Sequence, residues 1–108
     1  MANSYKVLGQ LAGSTTATAL YTCPSSTEAV ISTLLICNRA AAAKTYKIIL
    51  RPDDETLADK HYLAFDVSIA ANDTTALTLG ITMNASDKLY VSSSDTNLSF
   101  TAFGSEIA

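Results

Sequence analysis

Tryptophan is absent from this 108-residue chain, glycine occurs four times, proline and cysteine twice each, and histidine once. Charge is also scarce. Asp, Glu, Lys and Arg make up 16% of the residues, against about 25% in an average domain. Each shortage narrows the field. One histidine, His61, cannot assemble the usual multi-histidine zinc set. The glycines at 9, 13, 80 and 104 are too dispersed for a phosphate-cradling loop, and no G-x-S-x-G elbow exists to hold a nucleophilic serine. Without tryptophan, and with Tyr and Phe spread one or two per segment, a stacking platform for sugars or bases has little support. The longest apolar candidate, AVISTLLIC, falls well short of a membrane span. The opening MANSYKVLGQ has no apolar core of a secretory signal. A net charge of −3 and a pI near 4.8 weakly repel phosphate backbones and anionic lipid. Nucleic acid and membrane are therefore not expected partners, and a soluble chain made in the cytoplasm is expected.

What the chain has in abundance is small and neutral. It carries 26 Ser and Thr residues and 17 Ala. Hydroxyls and methyls desolvate more cheaply than ammonium or carboxylate groups, so such an exterior suits a protein covered by neighbouring subunits.

The hydropathy period is two. HYLAFDVSI places His61, Leu63, Phe65, Val67 and Ile69 on one face. TYKIILRP groups Tyr46, Ile48 and Leu50, TALTLGI groups Leu77, Leu79 and Ile81, and KLYV pairs Leu89 with Val91. NLSFTAFGSEI alternates through Leu98, Phe100 and Ala102. Alternation with one apolar face predicts half-buried antiparallel strands. Turn signals rich in Pro, Asn, Asp or Ser (CPSS, PDDE, AAND, NASD, SSDTN) separate them. The segmentation predicts strands near residues 4–9, 17–23, 28–38, 45–51, 60–69, 75–82, 88–93 and 97–106. The expected fold is all-β: one antiparallel β-sandwich domain over residues 1–108, jelly-roll or Ig-like, with seven to eight short strands. One segment offers a competing helix over about residues 26–43, since Ser25-x-x-Glu28 reads as a capping box and four alanines follow. Val30, Ile31, Thr33 and Ile36 are β-branched and lose side-chain freedom in a helix, which favours a long strand and then a small-residue loop.

Half of the ten acidic residues and the only histidine fall in RPDDETLADKHYLAFD, residues 51–66. A calcium loop needs oxygens at alternating positions around a central glycine, and here Leu57 and Ala58 fill the middle. Clustered like charges normally sit in water, so a solvated loop is expected, with His61 structural. A hairpin joining strands 17–23 and 28–38 would hold Cys23 and Cys37 tens of ångströms apart, too far for a bridge. Two reduced, packed thiols are expected. Gly80 and Gly104 fall inside strand patterns, where glycine marks a bulge or a close backbone approach. No catalytic, metal or cofactor-binding residues are assigned.

Two longer blocks carry a resemblance, LYTCPSSTEAVISTLLICNRAAAAKTYKIILRP (residues 20–52) and KHYLAFDVSIAANDTTALTLGITMNASDKLYVSSSDTNLSFTAFGSEI (residues 60–107). Leu-Tyr-x-x-Pro at 20–24, Cys-Asn-Arg at 37–39, Ala-Asn-Asp-Thr at 71–74, Leu-Gly-Ile-Thr-Met at 79–83, Asp-x-Leu-x-Val at 87–91 and Phe-Gly-x-Glu at 103–106 occur in that order. The set resembles small virion proteins and tail-fibre modules of tailed phages. Met83 stands where Leu is more usual, and DDETLAD has no counterpart in the pattern. The resemblance implies a non-enzymatic structural virion protein with a sandwich or jelly-roll-like fold, most readily a capsid decoration (cement) protein. A tail, neck or fibre accessory protein, or a receptor- or glycan-binding module, is the alternative. It also implies partners: copies of the same chain in a trimer or larger ring, and the major capsid or tail protein. Two loops are candidate contact sites, Ala40, Ala41, Ala42, Ala43 and Lys44 in one, and Asp53, Asp54, Glu55 and Asp59 in the other.

Overall fold

The two-residue period is realised as eight strands in a computed structural model that describes residues 3–108. They are β1 (Asn3–Ala12), β2 (Thr18–Thr22), β3 (Glu28–Asn38), β4 (Lys44–Arg51), β5 (Tyr62–Ile69), β6 (Thr74–Met83), β7 (Lys88–Ser93) and β8 (Leu98–Ile107). Single 3₁₀ turns at Pro52–Asp54 and Asp59–His61 interrupt the β4–β5 connection. The competing helix over residues 26–43 does not form. Its centre is β3, whose Ala29, Ile31, Leu34 and Ile36 are buried from one face.

The strands form two antiparallel four-stranded sheets, ordered β1-β8-β3-β6 and β2-β7-β4-β5. The pairings are nested: β1 with β8, β2 with β7, β3 with β6, β4 with β5. A long hairpin closed at the β4–β5 connection has thus been rolled over, and β3–β8 and β4–β7 pairs complete the sheets. This is the order of a jelly roll, which decides between the two sandwich types expected. Four of the strands run ten or eleven residues; β3 and β8 have the lengths expected, and β1 and β6 extend beyond the expected 4–9 and 75–82.

Leu34, Ile36, Ile48, Leu89, Leu98, Phe100 and Ala102 are fully enclosed between the sheets. Each large side chain among them contributes roughly 1.5–3 kcal/mol by leaving water. The alternation expected for β4, β7 and β8 is therefore observed. In β5 it is not. Leu63 and Phe65 are exposed, Val67 is 39% exposed, and only Ile69 and the preceding His61 are buried. Two bulges turn Leu63 and Phe65 outward, while Val67 keeps the register of Ile69, opposite Tyr46, and is exposed on this edge strand. Opposite Tyr46–Ile48, β5 advances from Val67 to Ala64, and opposite Ile48–Ile49 it advances from Ala64 to Tyr62. Each extra residue moves the following side chains to the other face. Asp66, at φ 51°, sits in the first bulge. Likewise Leu79 leaves the face of Leu77 and Ile81, because β6 carries an extra residue opposite Ile31–Thr33, with Gly80 at φ +61° supplying the turn of the chain. Gly104 is the close approach expected of it: a Cβ there would lie 1.8 Å from the Val30 carbonyl oxygen.

The hairpin assumed for the cysteines is absent, since β2 and β3 lie in different sheets. The thiols are nonetheless unbridged, Cys23 buried and Cys37 half-buried. Burial pushes the Cys23 thiol up from its ordinary value.

One polar residue sits in the core by design of its partners. Asn38, 1% exposed, ends β3. Its Oδ1 accepts the Ala40 N–H at 2.9 Å, and its Nδ2 faces the carbonyls of Ala42 (3.0 Å), Ile69 (3.2 Å) and Ala70 (3.0 Å). The side chain ties the 39–43 loop to the β5–β6 turn. Replacing it by alanine strands these carbonyls and the Ala40 amide. We expect Asn38→Ala to lose about 3 kcal/mol of unfolding free energy in urea titrations followed by circular dichroism. Asn38→Asp, which turns a carboxylate on the same carbonyls, is expected to lose more. A loss within error of wild type for both would show that the amide ties nothing down.

Candidate functional site

The two candidate loops do not meet. The 39–43 loop shares one end of the sandwich with the β1–β2, β5–β6 and β7–β8 connections, as the Gly13–Leu98, Arg39–Asn97, Asn72–Ala40 and Ser93–Ser14 backbone bonds show. Residues 52–61 lie at the other end, with the β2–β3 and β6–β7 turns. The eight residues of β4 separate them by about 25 Å at about 3.3 Å each. Nor is the first loop uniformly available. Ala41, Ala42 and Ala43 are exposed, but Ala40 is 9% exposed, and Lys44 belongs to β4 and pairs with Asp95 at 3.0 Å. That ammonium holds the Asp95 carboxyl below its ordinary value.

The acidic loop is stitched to its surroundings. The Asp53 N–H donates to Asp87 (2.9 Å), and Asp54 takes the Tyr90 hydroxyl (3.2 Å), Lys88 (3.2 Å) and Arg51 (3.5 Å). Hydrogen bonding from Lys88 holds the Asp54 carboxyl below its ordinary value. Nδ1 of His61 accepts the Ala58 N–H at 2.9 Å, so the proton of the neutral ring sits on Nε2, 3.1 Å from Glu55. Glu55 is lowered by that bond and by Lys60. Both nitrogens of this buried ring are thus engaged within its own loop. Asp59 opens the second 3₁₀ turn and is exposed. Among the described residues, no three His, Cys, Asp or Glu side chains gather at metal-binding spacing, and no helix is long and apolar enough to cross a membrane.

The outer faces of the sheets differ more than the loops do. On the β2-β7-β4-β5 sheet, Lys47 pairs with Asp66 at 2.5 Å and lies 4.7 Å over the Phe65 ring, which meets Tyr62 edge-on. Arg51 lies 4.6 Å over Tyr90. On the β1-β8-β3-β6 sheet, register places Tyr5, Ser105, Val30 and Thr82 in one outward row, Val7, Phe103, Thr33 and Thr78 in the next, and Gln10, Thr101, Leu35 and Ala76 in a third. None is charged. Lys6, Glu28 and Glu106 are the charged residues in the strands of this sheet. Lys6 and Glu106 neutralise each other at 2.6 Å, and Glu28 lies at the strand end. A shallow groove of about 390 Å³ runs along this face between Tyr5, Val7, Val30 and Phe103.

The four sheet edges divide the same way. Edge strand β2 is five residues long, and β5 is bulged twice and carries the Lys47–Asp66 pair beside it. Short length, bulges and charge all discourage strand addition. Edge strands β1 and β6 have ten residues each and one bulge apiece, and Lys6 is the one charged residue in either.

Across the β1–β2 flank, the Tyr21 hydroxyl donates to Glu106 at 2.5 Å, joining the sheets, and Lys6 completes the set. Lys6 and then Tyr21 hold the Glu106 carboxyl down, while burial first and Glu106 second push the Tyr21 phenol up. Tyr21 and Glu106 fall within the ordered motifs at 20–24 and 103–106, but nothing in the sequence joins them to each other or to Lys6. Tyr21, Lys6 and Glu106 are 15 to 100 positions apart and carry no common motif.

Comparison with protein-family models, with curated proteins and with solved structures returned no match.

The ionisable groups set the pH range of stability. Asp54, Glu55, Asp95 and Glu106 are all lowered in the folded state. Their contribution is present above the unfolded carboxylate values of about 4 and is lost as pH falls through the lower folded values. Tyr21, Tyr46 and Cys23 are raised. Their contribution is present below about pH 8.5 and fades as pH rises beyond the unfolded values. Denaturant titrations from pH 3 to 11 are expected to show a plateau near neutrality with losses on both sides. The deficit of Glu106→Gln against wild type should be largest at neutral pH and shrink below pH 4. A deficit independent of pH would mean the Glu106 charge is not what holds that flank.

Proposed function

We propose that this chain is a non-enzymatic structural protein of a tailed-phage virion, and specifically a capsid decoration (cement) protein. The observation that carries the reading is the uncharged outer face of the β1-β8-β3-β6 sheet, set against an opposite face laced with ion pairs. A face without charge loses little on leaving water and suits permanent cover. The jelly-roll order adds a fold-level analogy, because viral shell domains use it repeatedly. The ordered motifs at residues 20–24, 37–39, 71–74 and 103–106 point the same way through their resemblance to virion proteins. The mechanism is adhesive: many symmetric copies touch one another and the shell, so weak single contacts sum to lasting attachment. The long edges of β1 and β6, nearly free of charge, are then covered by assembly.

A second reading has one observation in its favour. The groove beside Tyr5 and Phe103 is the kind of aromatic-lined recess that a glycan-binding module would present.

The test mixes the purified protein with purified capsids lacking it, and separately with tails. Decoration predicts saturable binding to capsids and a higher temperature of shell rupture. Binding to tails alone would move the protein to the accessory class. Binding to neither, with capture on a glycan array, would establish the second reading.

A further inference from the structure

We infer that the outer face of the β1-β8-β3-β6 sheet is a contact between two copies of this chain, packed face to face about a two-fold axis, with Tyr5 of each copy seated in the groove of the other. The inference deepens the adhesive reading above and rests on its premise that this face is covered.

The patch carries both halves of a self-complementary fit. Tyr5 is 81% exposed and Val7 is 49% exposed, so a knob stands at the β1 side of the sheet. The recess of about 390 Å³ lies immediately beside it, walled by Val7, Val30, Ser32, Phe103 and Ser105, with Lys6, already paired to Glu106, as the one charged residue on its lining. A two-fold contact places the same patch on both sides, so a knob offset from its own recess meets the recess of its partner. Tyrosine is a favoured anchor in such pockets, because it hides a large ring at the cost of few rotatable bonds.

Charge selects the occupant. A partner presenting ammonium or carboxylate groups to this face would leave them dry and unpaired. The occupant must therefore be equally uncharged, and this face of a second copy is such a surface. Two chains of net charge −3 repel, but of the acids in this sheet Glu106 is neutralised by Lys6 and Glu28 lies at a strand end, and the others lie in the loops or on the other sheet.

Size is also adequate. Four strands about 4.8 Å apart, each about ten residues long, make a face of roughly 600 Å² in projection. Its accessible area approaches the roughly 800 Å² per partner of a standard interface. The opposite sheet face offers an exposed aromatic too, Phe65, but Lys47, Asp66 and Arg51 surround it. A two-fold contact gives an even-numbered assembly, where the expectation was a trimer or larger ring.

Sedimentation equilibrium of the isolated protein, from micromolar to millimolar concentration, tests this. Wild type is expected to reach a dimer or an even multiple of it. Tyr5→Asp and Val7→Asp should each weaken association at least tenfold, while Phe65→Lys should leave it unchanged. Because all three side chains are exposed, thermal unfolding should show the variants folded. A wild-type protein that stays monomeric or stops at a trimer would overturn the inference. So would equal loss in Phe65→Lys, which would indicate general stickiness, or an oligosaccharide protecting Tyr5 in a monomer. Binding to capsids without self-association would sink the two-fold contact and leave the decoration reading standing. Self-association without particle binding would do the reverse.

Discussion

Every feature of this molecule follows from the need to bury one face of each of eight strands when no strand has a neighbour-hairpin of its own except β4 with β5. Nested pairing satisfies the backbone, and rolling the nest brings two apolar faces together. The interior rows, Leu34 with Ala102 and Leu77, or Ile48 with Ala64 and Val91, are fixed by that register. Since each sheet spends one face on the core, everything the protein does to its surroundings falls to the two outer faces, the four edges and the loop ends.

Those remaining surfaces are not equivalent. The β2-β7-β4-β5 sheet spends its charged residues on local pairs and cation–π contacts, and its edges are short or bulged. The other sheet keeps its few charges paired at its flank or at a strand end, and presents rows of Ser, Thr, Val and Phe. Charged pairs on an exposed face contribute little to stability. Their value here is as a guard against unwanted strand addition, and the sheet with no such pairs across its face is the one with the groove and the protruding Tyr5.

Polar interactions hold the two ends of the sandwich, and they do so from single residues. Asn38 at one end gathers backbone groups from two connections, and at the other His61 fills the interior of a loop whose acids look outward to Lys88, Arg51 and Lys60. The acidic stretch that stands out in the sequence is therefore a well-braced closure of the β4–β5 hairpin. Its ionisable groups answer to pH through stability.

The sequence by itself determined the strands, because a side-chain period of two is a local property that survives any tertiary arrangement. All eight expected strand segments lie within three positions of the observed ones, and β3 was separable from a helix by its β-branched residues. It also determined that Gly80 and Gly104 were special, since a residue without Cβ in a strand needs a reason. Tertiary structure alone decided the rest. Bulges in β5 and β6 sent Leu63, Phe65 and Leu79 outward, and a bulge is a mismatch between two strands that neither strand spells out. Strand order separated Cys23 and Cys37 by sheet. The charge-free face could not be read along the chain, because its rows take residues from β1, β8, β3 and β6, up to 100 positions apart, and only pairing register sets them side by side.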